Sequence, residues 1–167
     1  HTVSDAPLRV LDLCCGIGQS TEVLAYYLNP QSQILGLEYS EHFTRTARTR
    51  NYVHRSGAKP RVEFRAQSVL ETFCDTQGTP LADSSIDLVN CCGAIGAHFT
   101  PEATRTLVKE VTRVLKPGGH ALLDCGNAGT PLSELVKLGR AHGLKKLKVS
   151  QNSFLDFYPQ VCFLKSV

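Results

Sequence analysis

Two glycines and two carboxylates carry the first chemical signal in these 167 residues. The run Leu11-Asp12-Leu13-Cys14-Cys15-Gly16-Ile17-Gly18 passes from an apolar stretch into a G-x-G turn. Without a Cβ, Gly16 and Gly18 let the backbone bend sharply and come close to a ligand. Asp12 sets a negative charge at the end of the strand that feeds this turn. Such a charge repels a pyrophosphate and favours a ligand carrying an amino group and a sulfonium. The dinucleotide fingerprint also wants a third glycine, where this chain has Ser20 and Thr21 nearby. Glu38 follows at the end of the next strand-like run, about 20 residues on, where a carboxylate can accept hydrogen bonds from both ribose hydroxyls. A surface Glu ahead of a helix starting at Ser40-Glu41 is the plainer reading of the same residue.

The elements that must hold these residues alternate. Leu8–Leu13, Gln33–Leu37, Arg61–Ala66, Ile86–Cys91 and Ala121–Cys125 are short apolar runs between turn residues and read as buried strands. Val23, Leu24, Tyr27 and Leu28 repeat at helical spacing until Asn29-Pro30. A second helix is expected from Phe43 through Arg55, closed by Gly57, with Phe43, Ala47 and Val53 on its apolar side. Ser68–Leu81 reads as one helical turn followed by a loop around Gly78-Thr79-Pro80. Pro101 suits a first helical turn, and Leu107, Val108, Val111, Val114 and Leu115 form the stripe of a helix that Pro117-Gly118-Gly119 should end. A further helix runs from Leu132 to Gly143, and Leu144–Ser150 with Tyr158–Lys165 makes a closing hairpin. Alternation of this kind predicts right-handed βαβ units in a mainly parallel sheet, within a single domain over 1–167. Ligands of such sheets bind beyond the carboxyl ends of the strands, which directs attention to the segments after strands one, two and four.

Four segments then resemble, in order and spacing, the motifs of class I S-adenosylmethionine-dependent methyltransferases. LDLCCGIG is similar to their glycine-rich motif and GLEYS to their second-strand acidic motif; IDLVNCCGAIGAHF and RVLKPGGHALL are similar to the segments around strands four and five. The resemblance implies a Rossmann-like three-layer sandwich, a seven-stranded sheet of order 3-2-1-4-5-7-6 with strand seven antiparallel, and S-adenosyl-L-methionine as cofactor. It places Asp12, Cys14, Gly16, Gly18, Glu38 and Tyr39 at the cofactor, with Cys14 standing where the family usually has glycine. Where the family often has Gly-Asp-Ala after strand three, this chain has Ala66-Gln67-Ser68. The Gln67 amide oxygen or the Ser68 hydroxyl can take the adenine contact instead. Asn90 falls by resemblance near the methionine part of the cofactor, although it also suits a simple strand cap.

The methyl of this cofactor is already activated, so transfer needs alignment and sometimes a base. His98, after strand four where an acceptor approaches, is the candidate base; a histidine in a loop is as easily a plain surface residue. The Asn/Asp-Pro-Pro-aromatic clamp for flipped bases is missing at Asn90-Cys91-Cys92-Gly93. Cys91 or Cys92 with Cys125 loosely imitates the cysteine pair of RNA cytosine-C5 enzymes, without their Pro and acidic neighbour and without a cation to lower a thiol pKa. The expected function is methyl transfer to a small-molecule acceptor. A non-catalytic cofactor-binding subunit, an NAD(P)-dependent oxidoreductase and an RNA methyltransferase are the alternatives.

Bulk properties agree. A charge of +3 is too small to imply a nucleic-acid partner by itself, and a solvated face explains the modest cluster of Lys145, Lys146 and Lys148 as well; no nucleic-acid partner is expected. Seven cysteines, an odd number mostly in apolar runs, read as reduced thiols in the cytoplasm, with no metal-ligand spacing and no disulfide framework. No apolar run reaches membrane-spanning length. The chain opens on His1 and contains no Met, so it reads as processed, trimmed or cut from something longer. Little precedes strand one and no long insertion follows strands four or five, so an acceptor lid is expected from another domain or subunit.

Overall fold

The computed structural model describes residues 5–150 and 158–166. Among the described residues there are five helices and seven strands, and all but the short helix at Ile95–His98, where the sequence predicts a loop, follow the expected pattern. They are β1 (Arg9–Leu13), α1 (Gln19–Tyr27), β2 (Gln33–Glu38), α2 (Glu41–Thr49), β3 (Arg61–Ala66), β4 (Ile86–Cys91), α3 (Ile95–His98), α4 (Pro101–Val114), β5 (Leu115–Asp124), α5 (Leu132–Ala141), β6 (Leu144–Val149) and β7 (Gln160–Lys165). The sheet order is β3-β2-β1-β4-β5-β7-β6. Strand β7 runs antiparallel to both β5 and β6. This is the expected Rossmann-like topology. The backbone groups into two compact units, residues 1–81 and 82–167.

In the first unit β1 pairs parallel to β2, with Asp12 opposite Gly36, and β2 pairs parallel to β3 up to Glu38 opposite Ala66. Helix α1 stops at Leu28, whose backbone is extended, immediately before Asn29-Pro30. Ser40 caps α2, its hydroxyl accepting from the Phe43 amide at 3.3 Å.

Helix α2 is shorter than the sequence predicts, ending at Thr49 instead of Arg55. Arg50 turns extended (φ −73°, ψ 152°). The chain then carries Tyr52 inward, where its hydroxyl donates to the Ala47 carbonyl at 2.9 Å. Burying an aromatic ring with its hydroxyl satisfied outweighs another turn of helix that offers only Val53 to the core. The expected helical turn at Ser68–Leu81 is also absent: these residues form turns and an isolated bridge between Cys74 and Pro80. Polar side chains compete with helix here. Ser68 Oγ accepts from the Leu70 amide at 3.2 Å, and the Gln67 side chain spans the loop.

In the second unit Thr100 caps α4 by accepting from the Ala103 amide at 3.2 Å, with Pro101 following it. Leu107, Val108, Val111 and Val114 are fully buried, each worth roughly 1.5–3 kcal/mol relative to exposure. Pro117-Gly118-Gly119 does not end this helix, which stops at Val114; the three residues lie inside β5. The strand begins at Leu115 opposite Ile86 and shifts register before His120 meets Leu88. Gly118, at φ +79°, supplies the left-handed residue in this irregularity. The β6–β7 hairpin pairs Leu144 with Lys165 through Val149 with Val161; its connection, 151–157, lies outside the described residues.

Candidate functional site

The glycine turn after β1 is flanked by two carboxylates within the first unit. Asp12 has no exposed surface, and its Oδ2 accepts from the Ser20 hydroxyl at 2.7 Å and the Thr21 hydroxyl at 2.5 Å. The carboxylate thus ties the end of β1 to the first turn of α1, which starts from Gly18 without a side-chain cap. On the other side Glu38 Oε2 accepts from the Gly16 amide at 3.0 Å and Oε1 from the Ser40 amide at 2.9 Å. One carboxylate therefore fixes the glycine turn and the entry to α2. A carboxylate has about four lone-pair sites, and each oxygen of the half-buried Glu38 keeps capacity for a further donor.

The two glycines of the turn differ. Gly16 lies at φ +55°, and a Cβ built there meets nothing within 4 Å, so the backbone borders open space. Gly18 lies at φ +86°, where a Cβ would fall 2.1 Å from the Tyr52 hydroxyl and 3.3 Å from Ala47. The first glycine leaves room for a ligand; the second makes room for Tyr52. Cys14 is also left-handed (φ 53°) and half-buried. Behind the turn, burial pushes the Cys15 thiol well above its usual range, with the charges of Asp12 and Glu38 adding to the effect. Tyr39 stands beside Glu38 with 81% of its surface exposed.

Gln67 is more constrained than the sequence suggests. Its Oε1 accepts from the Cys74 amide at 3.1 Å and its Nε2 donates to the Thr72 carbonyl, so the amide organises the loop after β3. Its own backbone amide donates to the Glu38 carbonyl at 2.9 Å. Ser68 Oγ serves its own turn, with room for a second hydrogen bond.

In the second unit Asn90 is 5% exposed near the end of β4, its Oδ1 accepting from Gln160 Nε2 at 3.3 Å. His98 ends the short helix α3 and is exposed. The residue that fixes this helix is Asp124, which sequence reasoning missed. Fully buried, it accepts from the amides of Ala94 (3.3 Å), Ile95 (3.2 Å) and Gly96 (2.8 Å). Its signal was the one that exposed Glu38: a lone carboxylate closing an apolar strand run. Tyr52, which lines the back of the glycine turn, had no signal in the sequence.

The cysteines are all free thiols. Cys125 donates to the Pro159 carbonyl at 3.4 Å, and burial, with Asp124 beside it, raises its pKa to about 11. Such a thiol is a poor nucleophile at neutral pH. Among the described residues no group of His, Cys, Asp and Glu could hold a metal ion, and no helix is long and apolar enough to cross a membrane.

Sheet order, glycine turn and strand-end carboxylates together define an α/β Rossmann-like fold of the methyltransferase type. A family model described as a methyltransferase domain matches residues 10–119, and the chain belongs to that family. It is 32% identical over 115 residues to a demethylmenaquinone methyltransferase of Lactococcus lactis, covering 69% of this chain and 40% of the relative. The same figure holds over 137 residues for a demethylmenaquinone methyltransferase of Lactiplantibacillus plantarum, covering 82% and 51%. The chain thus spans about half the length of these curated relatives, or less. Its fold is shared with magnesium protoporphyrin IX methyltransferase of Synechocystis, solved with bound SAM (TM-score 0.74, 15% identity, 98% of this chain and 72% of that one). A SAM-dependent methyltransferase of Methanosarcina mazei matches comparably (TM-score 0.75, 16% identity, 100% and 96%).

Proposed function

We propose that this chain binds S-adenosylmethionine at the glycine turn and transfers its methyl group to a small-molecule acceptor. The observation that carries the reading is the pairing of Gly16 with Glu38. A backbone bordering open space is held by a carboxylate whose oxygens have remaining capacity to accept. The ribose hydroxyls of a nucleoside fit that carboxylate, and a Cβ at Gly16 would intrude on the space beside it. Gly18, by its packing, and Asp12, by its hydroxyl partners, shape the turn. Cys14 and Tyr39 flank it, Tyr39 offering an exposed ring to the adenine. Gln67 and Ser68 border the same edge after β3, Gln67 through its loop and Ser68 through its hydroxyl. Asn90 is assigned to the methionine part.

When bound, the cofactor supplies a methyl already activated by the sulfonium, so the protein's task is alignment and exclusion of water. His98 is the candidate to take a proton from the acceptor. The relatives' substrate, a demethylmenaquinone, puts apolar ring acceptors first in any screen. The cover over such an acceptor is assigned to parts of the protein outside this core, whether domain or subunit. Free thiols throughout suit a reducing, cytoplasmic setting.

Calorimetric titration with S-adenosylmethionine, S-adenosylhomocysteine and NAD tests the reading. Heat from the two sulfur nucleosides and none from NAD is expected. Binding of NAD alone refutes the proposal.

A further inference from the structure

A cavity of about 470 Å³ opens in the first unit, with Tyr52, the residue behind the glycine turn, in its wall. Its size falls within the usual range for small-molecule sites, roughly 300–1,000 Å³. The end of α2, the segment leading to β3 and β3 itself line it. Arg48, Arg50 and Lys59 bring three cationic side chains to its walls against one carboxylate, Glu63. That carboxylate already pairs with Arg61 at 3.2 Å. Arg50 pairs with Glu22, while Arg48 places one Nη on the Phe64 carbonyl at 2.9 Å. This bond steadies the guanidinium and leaves it further donors, since an arginine carries five. Tyr52 and Phe64 complete the lining, their ring centroids 5.5 Å apart and tilted by 38°. The wall is preformed, because Tyr52 is buried and its hydroxyl is held by Ala47.

We propose that this cavity binds an organic phosphate, with the phosphate between Arg48 and Lys59 and an apolar body along Tyr52 and Phe64. A phosphate dianion engages two cations at once, and the arginine fork matches its oxygens. The site is separate from the nucleoside edge. Its lining shares no residue with the glycine turn, Glu38, Tyr39, Gln67 or Ser68.

Calorimetric titration of the whole chain with phenyl phosphate tests the assignment, with inorganic phosphate and phenol as controls. Saturable one-site binding at millimolar concentration or tighter is expected, stronger than for inorganic phosphate and absent for phenol. Arg48→Gln and Lys59→Gln should each weaken binding about tenfold or more. Lys59 is exposed, so its substitution leaves folding intact. Lys145→Gln with Lys146→Gln, on the basic strand β6, should change nothing, and Glu38→Ala should leave phosphate binding in place. Absence of saturation overturns the proposal, and so does equal loss in the β6 variant or loss in Glu38→Ala. Inorganic phosphate binding as tightly as phenyl phosphate removes the apolar body from it.

Discussion

Glu38 and Asp124 close apolar strands in the same way, yet their surroundings are opposite. Each sits at the carboxyl end of a strand, and each accepts at least one backbone amide from the segment that follows a neighbouring strand. Asp124 is sealed, with three amides gathered on a carboxylate that has no exposed surface. Glu38 is half-buried, holds two amides, and borders the open space beside Gly16. The position of a carboxylate at a strand end therefore does not make it a ligand residue. Access to open space and unspent accepting capacity set the proposed ligand residue apart. Asp12, fully buried beneath two hydroxyls, belongs with Asp124 in this respect.

The largest effect that would break the comparison is on the sealed side. Asp124→Ala strands three buried amide donors, each costing about 1–3 kcal/mol, so unfolding free energy should fall by about 3 kcal/mol or more. Urea denaturation measures it. A variant of unchanged stability would mean that the 94–96 amides find other acceptors and that Asp124 organises nothing. Asp124→Asn should recover part of the loss, since its one carbonyl oxygen still accepts.

On the open side the loss should appear in binding. Glu38→Ala is expected to weaken S-adenosylmethionine by roughly 1.5–3 kcal/mol, the worth of hydrogen bonds to a charged group. Its effect on stability should be smaller than that of Asp124→Ala, because the Gly16 amide it frees can be solvated. Titration calorimetry and denaturation of the same sample separate the two quantities. Equal binding by variant and parent removes Glu38 from the site. A stability loss rivalling that of Asp124→Ala makes it another sealed carboxylate.

How much of this was legible in the sequence follows from how local each cause is. Most strand positions were readable because buried runs such as Leu8–Leu13 and Ile86–Cys91 carry their signal in a few adjacent residues; the sheet order came from the resemblance to the methyltransferase family. Pro101 and the stripe from Leu107 to Val114 marked α4 by the same local logic. The misplaced boundaries had distant causes. Helix α2 ends early because Tyr52 finds a seat under Gly18, more than thirty positions back in the chain. Pro117-Gly118-Gly119 lies within β5 because the strand pairs with β4 on both sides of it, at Leu115 and from His120 on. At the site, Glu38 and Gly16 could be named from type and spacing. That the Gln67 oxygen is already engaged by Cys74, or that Asp12 is covered by Ser20 and Thr21, depends on side-chain directions that no spacing rule supplies.

The smallest effect concerns the thiol next to Asp124. Burial first, and the Asp124 charge second, raise Cys125 from 9.0 to about 11. Below pH 9 the thiol is protonated in both folded and unfolded chains, so its contribution to stability is complete. Between pH 9 and 11 the unfolded chain gives up the proton while the folded chain keeps it, so stability falls as pH rises. Urea unfolding at successive pH values across that window should therefore show a shallower loss for Cys125→Ala than for the parent, since the other buried thiols titrate in both. Equal slopes would mean that Cys125 ionises in the fold as it does in water. The comparison would then change on its sealed side, because a thiolate beside a buried carboxylate needs a cation or an open path to solvent, and the cysteine-nucleophile chemistry of the RNA enzymes would return as a reading of this strand end.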